Sequence, residues 1–133
     1  MGAGKVNSFR ELEIWRVGMD LTVDCYKLTE HFPKHELYGV TSQIRRAAAS
    51  VPANISEGFG RNYAGDFIRF LSIAQGSVKE VETFLELSVR VEHCKPESIK
   101  HAMGLCDQLG RMIRSMITKL RQRRYPPDAT PFR

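Results

Sequence analysis

Apolar residues recur every three or four positions along almost the whole chain. That spacing puts them on one face of an α-helix, whereas a strand needs alternation with a period of two. No strand-like alternation of any length and no internal repeat interrupts the pattern. Four amphipathic segments follow. The first is expected over about 8–31, where Ile14, Val17, Leu21, Cys25 and Leu28 form one stripe and Leu12, Trp15, Met19 and Tyr26 a second. Ser8 and Glu11 fit the S-x-x-E capping box, and Phe32-Pro33 ends the segment. The second, over about 34–59, carries Leu37, Val40, Ile44, Ala48, Val51, Ile55 and Phe59, and closes at Gly58 and Gly60. The third, over about 63–93, has Phe67, Leu71, Ala74, Val78, Val81, Leu85 and Val89 on one stripe. Phe70, Ile73, Ser77, Phe84, Leu87 and Val91 form its other stripe, and Gly76-Ser77 is a small pair that permits close helix approach. The fourth opens at Pro96, a favourable first helical residue, runs through Ile99, Ala102, Cys106, Leu109, Ile113, Met116 and Leu120, and ends near Arg124.

Connections of about two to five residues make successive helices antiparallel neighbours. The expected fold is therefore all-α: an antiparallel up-down-up-down four-helix bundle, one domain over 8–124, followed by a basic, Pro-containing tail over 125–133. A bundle core needs one apolar stripe per helix. The second stripes of the first and third helices either widen the core-facing surface or, as the favoured expectation, meet another subunit.

The second helix carries Pro52 in its interior, which removes a hydrogen bond to the Ala48 carbonyl and costs roughly 3 kcal/mol. A kink is expected there, with Ser50 or water satisfying that carbonyl. The same helix sets Arg46, Ser50, Asn54, Glu57 and Arg61 on one polar stripe. Ser50 and Asn54 are poor mid-helix residues. With Ser77 and Glu80 on the third helix, Asn54 and Glu57 are expected to form a polar network within the bundle or across subunits.

A length of 133 residues is that of one domain, and 42% hydrophobic content suffices for a core. No apolar run approaches the roughly 18–20 residues of a membrane span, and the first residues contain no signal-peptide apolar region. Val6 stands where a myristoylation motif wants Ser or Thr. Cys25, Cys94 and Cys106 form no C-x-x-C, which points to reduced thiols and a cytoplasmic protein.

Charge is unevenly placed. From Arg111 to Arg133 there are seven Lys/Arg against one acid, Asp128, while residues 1–110 balance to −1 of the whole chain's +5. The helix C-terminal dipole accounts for two or three such cations. The remainder suit an anionic partner, and arginine forks suit phosphate. With few aromatic residues nearby beyond Tyr125 and Phe132, contact is expected to be electrostatic and weakly sequence-specific.

Catalytic and metal signatures are missing. No Glu is followed by His three positions on, and Gly39 stands where H-E-x-x-H, begun by His35-Glu36, needs its second His. His31 and His35 straddle Pro33, and the four histidines are expected at surface or loop positions. Gly58-Phe59-Gly60 is followed by Tyr63 at the last glycine position and follows no strand. The cysteines have no catalytic context, and no Walker loop occurs. The expectation is no enzyme, no metal and no cofactor.

One string of motifs stands out: Phe32-Pro33-Lys34, Glu36-Leu37-Tyr38-Gly39, Gln43-Ile44-Arg45-Arg46, Ser50-Val51-Pro52-Ala53-Asn54-Ile55, Glu57-Gly58, Arg61, and Phe70 to Ser77. It resembles the bacterial four-helix-bundle proteins encoded in intervening sequences of 23S ribosomal RNA genes, also called S23 ribosomal proteins, over about 9–122. The resemblance implies a compact bundle assembled as a ring-like homopentamer. A related branch is similar to accessory variability proteins of diversity-generating retroelements, which have a basic surface and bind nucleic acid and a reverse transcriptase. Gln75 stands where the family often has Arg. Together these readings point to a non-enzymatic oligomer binding RNA or DNA through Arg45, Arg46, Arg61, Arg114, Arg121 and Arg124. The alternative is a protein-interaction scaffold with a protein partner and no nucleic-acid role.

Overall fold

The structure is a computed structural model and describes residues 6–123. Four α-helices account for most of it: α1 (Glu13–Thr29), α2 (Val40–Phe59), α3 (Ala64–Arg90) and α4 (Lys100–Arg123). Each helix packs against its sequence neighbours, and α1 packs against α4, which closes the bundle. The corners α1 and α3, and likewise α2 and α4, face each other across the core. Leu21, Ile44, Val51, Ile55, Phe67, Leu71, Val78, Val81, Leu85, Leu109, Ile113 and Leu120 fill that core. They are the single stripe per helix that a bundle requires.

The expected helix starts at Ser8 and Lys34 differ from the observed ones. Residues Phe9–Glu11 form a separate 3₁₀ turn, capped by the Ser8 hydroxyl accepting from Arg10 N–H at 3.2 Å. Glu11 accepts from Asn7 N–H rather than closing a capping box with Ser8. Leu12 then takes extended geometry (φ −78°, ψ 125°), which lets Phe9 fold back edge-on to Trp15 at 5.2 Å. The second helix likewise begins at Val40. Lys34–Glu36 is a 3₁₀ turn, and Gly39 (φ −110°, ψ −120°) breaks the chain before α2. The Glu36 carboxylate accepts from Val40 N–H at 3.2 Å and so supplies the cap that Gly39 lacks. The α1–α2 connection is consequently longer than expected. Leu37, read as the first core position of this helix, is 49% exposed.

Helix α2 continues through Pro52. The carbonyl that the proline leaves without its usual donor, Ala48 O, accepts from the Thr22 hydroxyl of α1 at 3.0 Å. The partner is thus Thr22 rather than Ser50, which is engaged with Ser77. The same Thr22 hydroxyl lies 2.9 Å from Gly18 O. Gly18 faces the proline: a β-carbon there would sit 3.4 Å from three Pro52 atoms. A glycine and a shared threonine therefore let α1 lie against the proline ring.

Where α3 ends, Glu92 takes a left-handed conformation (φ 65°). His93 N–H donates to Ser88 O at 2.9 Å and Glu92 N–H to Val89 O at 3.0 Å, the paired bonds of a Schellman ending. This reversal aims His93 at the α1–α2 connection, where its Nε2 lies 2.8 Å from Glu36 Oε2 and its ring 5.6 Å from that of Phe32. A second link of this kind, His101 Nδ1 to Asp24 Oδ2 at 2.9 Å, ties α4 to α1. Of the histidines, His31, His35 and His101 are exposed as expected, and His93 is half-buried.

Candidate functional site

Helix α4 turns Ala102, Cys106, Leu109, Ile113 and Leu120 inward. With that face fixed, the helical period sends Asp107, Arg111, Arg114, Thr118 and Arg121 along one outer stripe. Arg111, Arg114, Lys119 and Arg121 are all exposed. Arg111 pairs with Asp107 one turn earlier. Arg114, Lys119 and Arg121 have no ion-pair partner among the described residues. Arg124 and the 125–133 tail lie outside those residues.

The three candidate arginines outside α4 occupy different places. Arg61, in the α2–α3 turn, pairs with Glu57 at 3.4 Å, and its guanidinium lies 5.1 Å from the Phe70 ring centre. Arg69 lies over the same ring at 4.7 Å, so one buried phenylalanine holds two cations. Arg69 was not singled out from the sequence; its adjacency to a core aromatic was the available signal. Antiparallel topology brings this turn and the end of α4 to one end of the bundle. Arg46 lies on the α2–α3 side, bonded to Gln43 at 2.7 Å and 3.6 Å from Glu80. Arg45 lies on the α1–α2 side. Its Nε donates to Thr29 Oγ1 at 2.8 Å, and its guanidinium stacks over Tyr26 at 4.7 Å. Within one chain, then, Arg45 and Arg46 form no continuous patch with Arg114 and Arg121, because α2 and α4 occupy opposite corners.

The polar stripe of α2 also divides. Ser50 Oγ lies 2.9 Å from Ser77 Oγ, and Asn54 Nδ2 donates to both Ser50 O (2.8 Å) and Ser50 Oγ (2.9 Å). Ser77 is buried, so this cluster bridges α2 and α3 inside the bundle. Glu57 and Glu80 do not join it: both lie on the surface, paired with Arg61 and Arg46. Gly76, adjacent to Ser77, faces open space rather than a neighbouring helix. Gln75 donates from Nε2 to Gly110 O at 3.1 Å and so joins α3 to α4, while its buried Oε1 has no hydrogen-bond partner among the described residues.

Cys25 and Cys106 are core residues. Burial, helped by Asp24, pushes the Cys25 thiol up to about 12, and burial, helped by Glu82, does the same to Cys106. Burial also raises Cys94. None of the three is activated as a nucleophile, which requires a lowered pKa. Among the described residues no three His, Cys, Asp or Glu side chains are placed to hold a metal ion. No helix among the described residues is long and apolar enough to cross a membrane.

Fold and surface together define a four-helix bundle with a basic outer helix. The sequence model described as 23S rRNA-intervening sequence protein matches residues 10–115, and the chain belongs to that family. Among solved structures it is similar to a protein of unknown function from the S23 ribosomal protein family of Bacteroides thetaiotaomicron. That likeness has a TM-score of 0.70 and 25% identity, and covers 78% of this chain and 97% of the other. No curated protein matches the chain.

Proposed function

We propose that this protein is a non-enzymatic, oligomeric bundle of the cytoplasm that binds RNA through the outer face of α4, extended at one end by Arg61 and Arg69. The observation that carries this reading is the group of exposed cations Arg114, Lys119 and Arg121, which have no ion-pair partner among the described residues. Unpaired cations leave a field that a polyphosphate neutralises with release of counterions. The family's description carries the words 23S rRNA, which makes RNA the first polyanion to test. Self-assembly, as the homopentamer that the family resemblance implies, is supported by exposed apolar side chains on opposite corners. Met19, Val23 and Tyr26 of α1, and Ile73 and Leu87 of α3, are each at least 40% exposed.

Fluorescence anisotropy with a labelled RNA across a salt series tests the binding. The wild-type affinity is expected to fall steeply with salt, and Arg114→Glu with Arg121→Glu to flatten the log–log slope by about 1 per arginine. Unchanged affinity and slope in the double variant would overturn the reading. The same exposed apolar residues favour a second reading, a scaffold for a protein partner. A stoichiometric protein retained in pull-downs after nuclease treatment, with no RNA affinity at low salt, would establish it instead.

A further inference from the structure

We propose that the cleft between the end of α1 and the start of α2 binds a phosphate group, held by Arg45, Lys34 and the hydroxyl of Thr41. The cleft has a volume of about 390 Å³, and Thr29, Glu30, Lys34, Thr41 and Arg45 contribute its polar lining. Thr41 is 3% exposed, and its Oγ1 has no hydrogen-bond partner among the described residues. Buried hydroxyls are almost always paired. In this protein Thr22, Thr29, Thr83, Ser88 and Thr118 each donate to the carbonyl four residues back. Thr41 is the second residue of α2, so the residue four back, Leu37, lies outside the helix. Its hydroxyl therefore has no local acceptor and suits one supplied from the cleft.

Arg45 is already set to provide the matching donors. Thr29 Oγ1, itself fixed by donating to Cys25 O at 2.7 Å, accepts from Arg45 Nε, and Tyr26 supports the plane of the guanidinium. The two terminal nitrogens make no other hydrogen bond among the described residues. An arginine held by its Nε and stacked on a ring has little freedom left to lose when its fork meets an oxyanion. The first turn of α2 adds N–H groups without intrahelical acceptors. Glu36 takes that of Val40 at 3.2 Å, and the N–H groups of Thr41 and Ser42 follow it.

The opposing charge is small. Glu30 lines the same cleft as Lys34 and Arg45, and the second oxygen of Glu36 is engaged by His93 at 2.8 Å. A fork, an ammonium, a hydroxyl and helix N–H groups exceed what the two oxygens of a carboxylate can use, and they match the oxygens of a phosphate.

The test is the unfolding temperature of the full chain across a series of inorganic phosphate, with chloride holding ionic strength constant. A saturating rise is expected with phosphate alone. Arg45→Gln should abolish it. Thr41→Val should keep or raise the starting temperature, because it removes an unpaired hydroxyl, yet should need about tenfold more phosphate for the same rise. A rise that does not saturate and is shared by the Arg45 variant is the general salting-out effect and overturns the site. So does a Thr41 variant that responds to phosphate as the wild type does. Competition with a short oligonucleotide, with and without a 5′-phosphate, then separates the sources. Displacement by the phosphorylated strand alone assigns the site to a nucleic-acid terminus, and displacement by neither assigns it to a free or small-molecule phosphate. The proposal does not rest on the α4 surface. The Arg114→Glu/Arg121→Glu variant is expected to retain the phosphate response, so failure of either idea is separately visible.

Discussion

The hydroxyl of Thr22 serves two carbonyls, Gly18 O in its own helix and Ala48 O across the interface. The second would otherwise be a partly buried acceptor without a donor, since residue 52 has no N–H. Thr22→Val keeps the shape and removes the donor. It is expected to destabilise the protein by about 1–2 kcal/mol, a fall in Tm of roughly 4–8 °C by thermal unfolding. Thr22→Ser should recover most of the loss. Nothing around position 22 in the sequence announces this role, because its partner is 26 residues away. The strain at Pro52 was legible from the sequence; the group that relieves it was not.

Packing between elements turns on how near two backbones come. Helices α2 and α3 are joined by a tight turn, and Gly58 lies close against α3: a β-carbon there would lie 2.7 Å from Phe70 Cβ and 2.9 Å from Phe67 Cδ1. Phe70 Cβ is fixed to the α3 backbone and cannot swing aside. Gly58→Ala is therefore expected to lower stability by about 1–3 kcal/mol, overcoming the helix-propensity gain of about 1 kcal/mol. Gly104→Ala on α4, where no atom lies within 4 Å, should raise Tm through that same propensity. Chemical denaturation of both variants checks the pair.

The two connections at the other end of the bundle are joined by Glu36 and His93. The His93 hydrogen bond, followed by the Val40 N–H, holds the Glu36 carboxyl below its ordinary value of 4.5. A depressed folded-state pKa gives stability that is present above the unfolded value and is lost as pH falls through the folded one. Acidification below about pH 4.5 should therefore lower the Tm of the wild type by more than that of Glu36→Gln, read as Tm between pH 6 and pH 3. The sequence placed Glu36 inside a helix. It is a cap because Gly39 interrupts the chain before Val40.

At the scale of the molecule, apolar surface remains on two opposite corners. Met19, Val23 and Tyr26 lie along α1, and Ile73, Leu87 and Val91 along α3. One chain cannot bring opposite corners together, so a contact using both would be heterologous, one face of each copy against the other face of the next. Leu87→Glu is expected to reduce the mass measured by light scattering while leaving the helical circular dichroism unchanged. Wild-type monomers, or a variant mass equal to the wild type, would end that view. The basic surface belongs to the same scale: Arg114 and Arg121 lie together on α4, whereas Arg45 and Arg46, adjacent in sequence, lean to opposite sides of α2.

Helix number, the apolar stripes and the charge asymmetry follow from the sequence itself, because they depend on residue type and a period of 3.6 that every helix shares. The family was legible as well, from the string of residues between Phe32 and Ser77. Tertiary structure decided the rest. It determined that Ser50, rather than Glu57 or Glu80, joins Asn54 to Ser77. It set Arg45 upright on Thr29 and Tyr26, and left the Thr41 hydroxyl without a partner at the start of α2. These outcomes depend on distances between helices and on where a helix starts, and side chains far apart in sequence fix both.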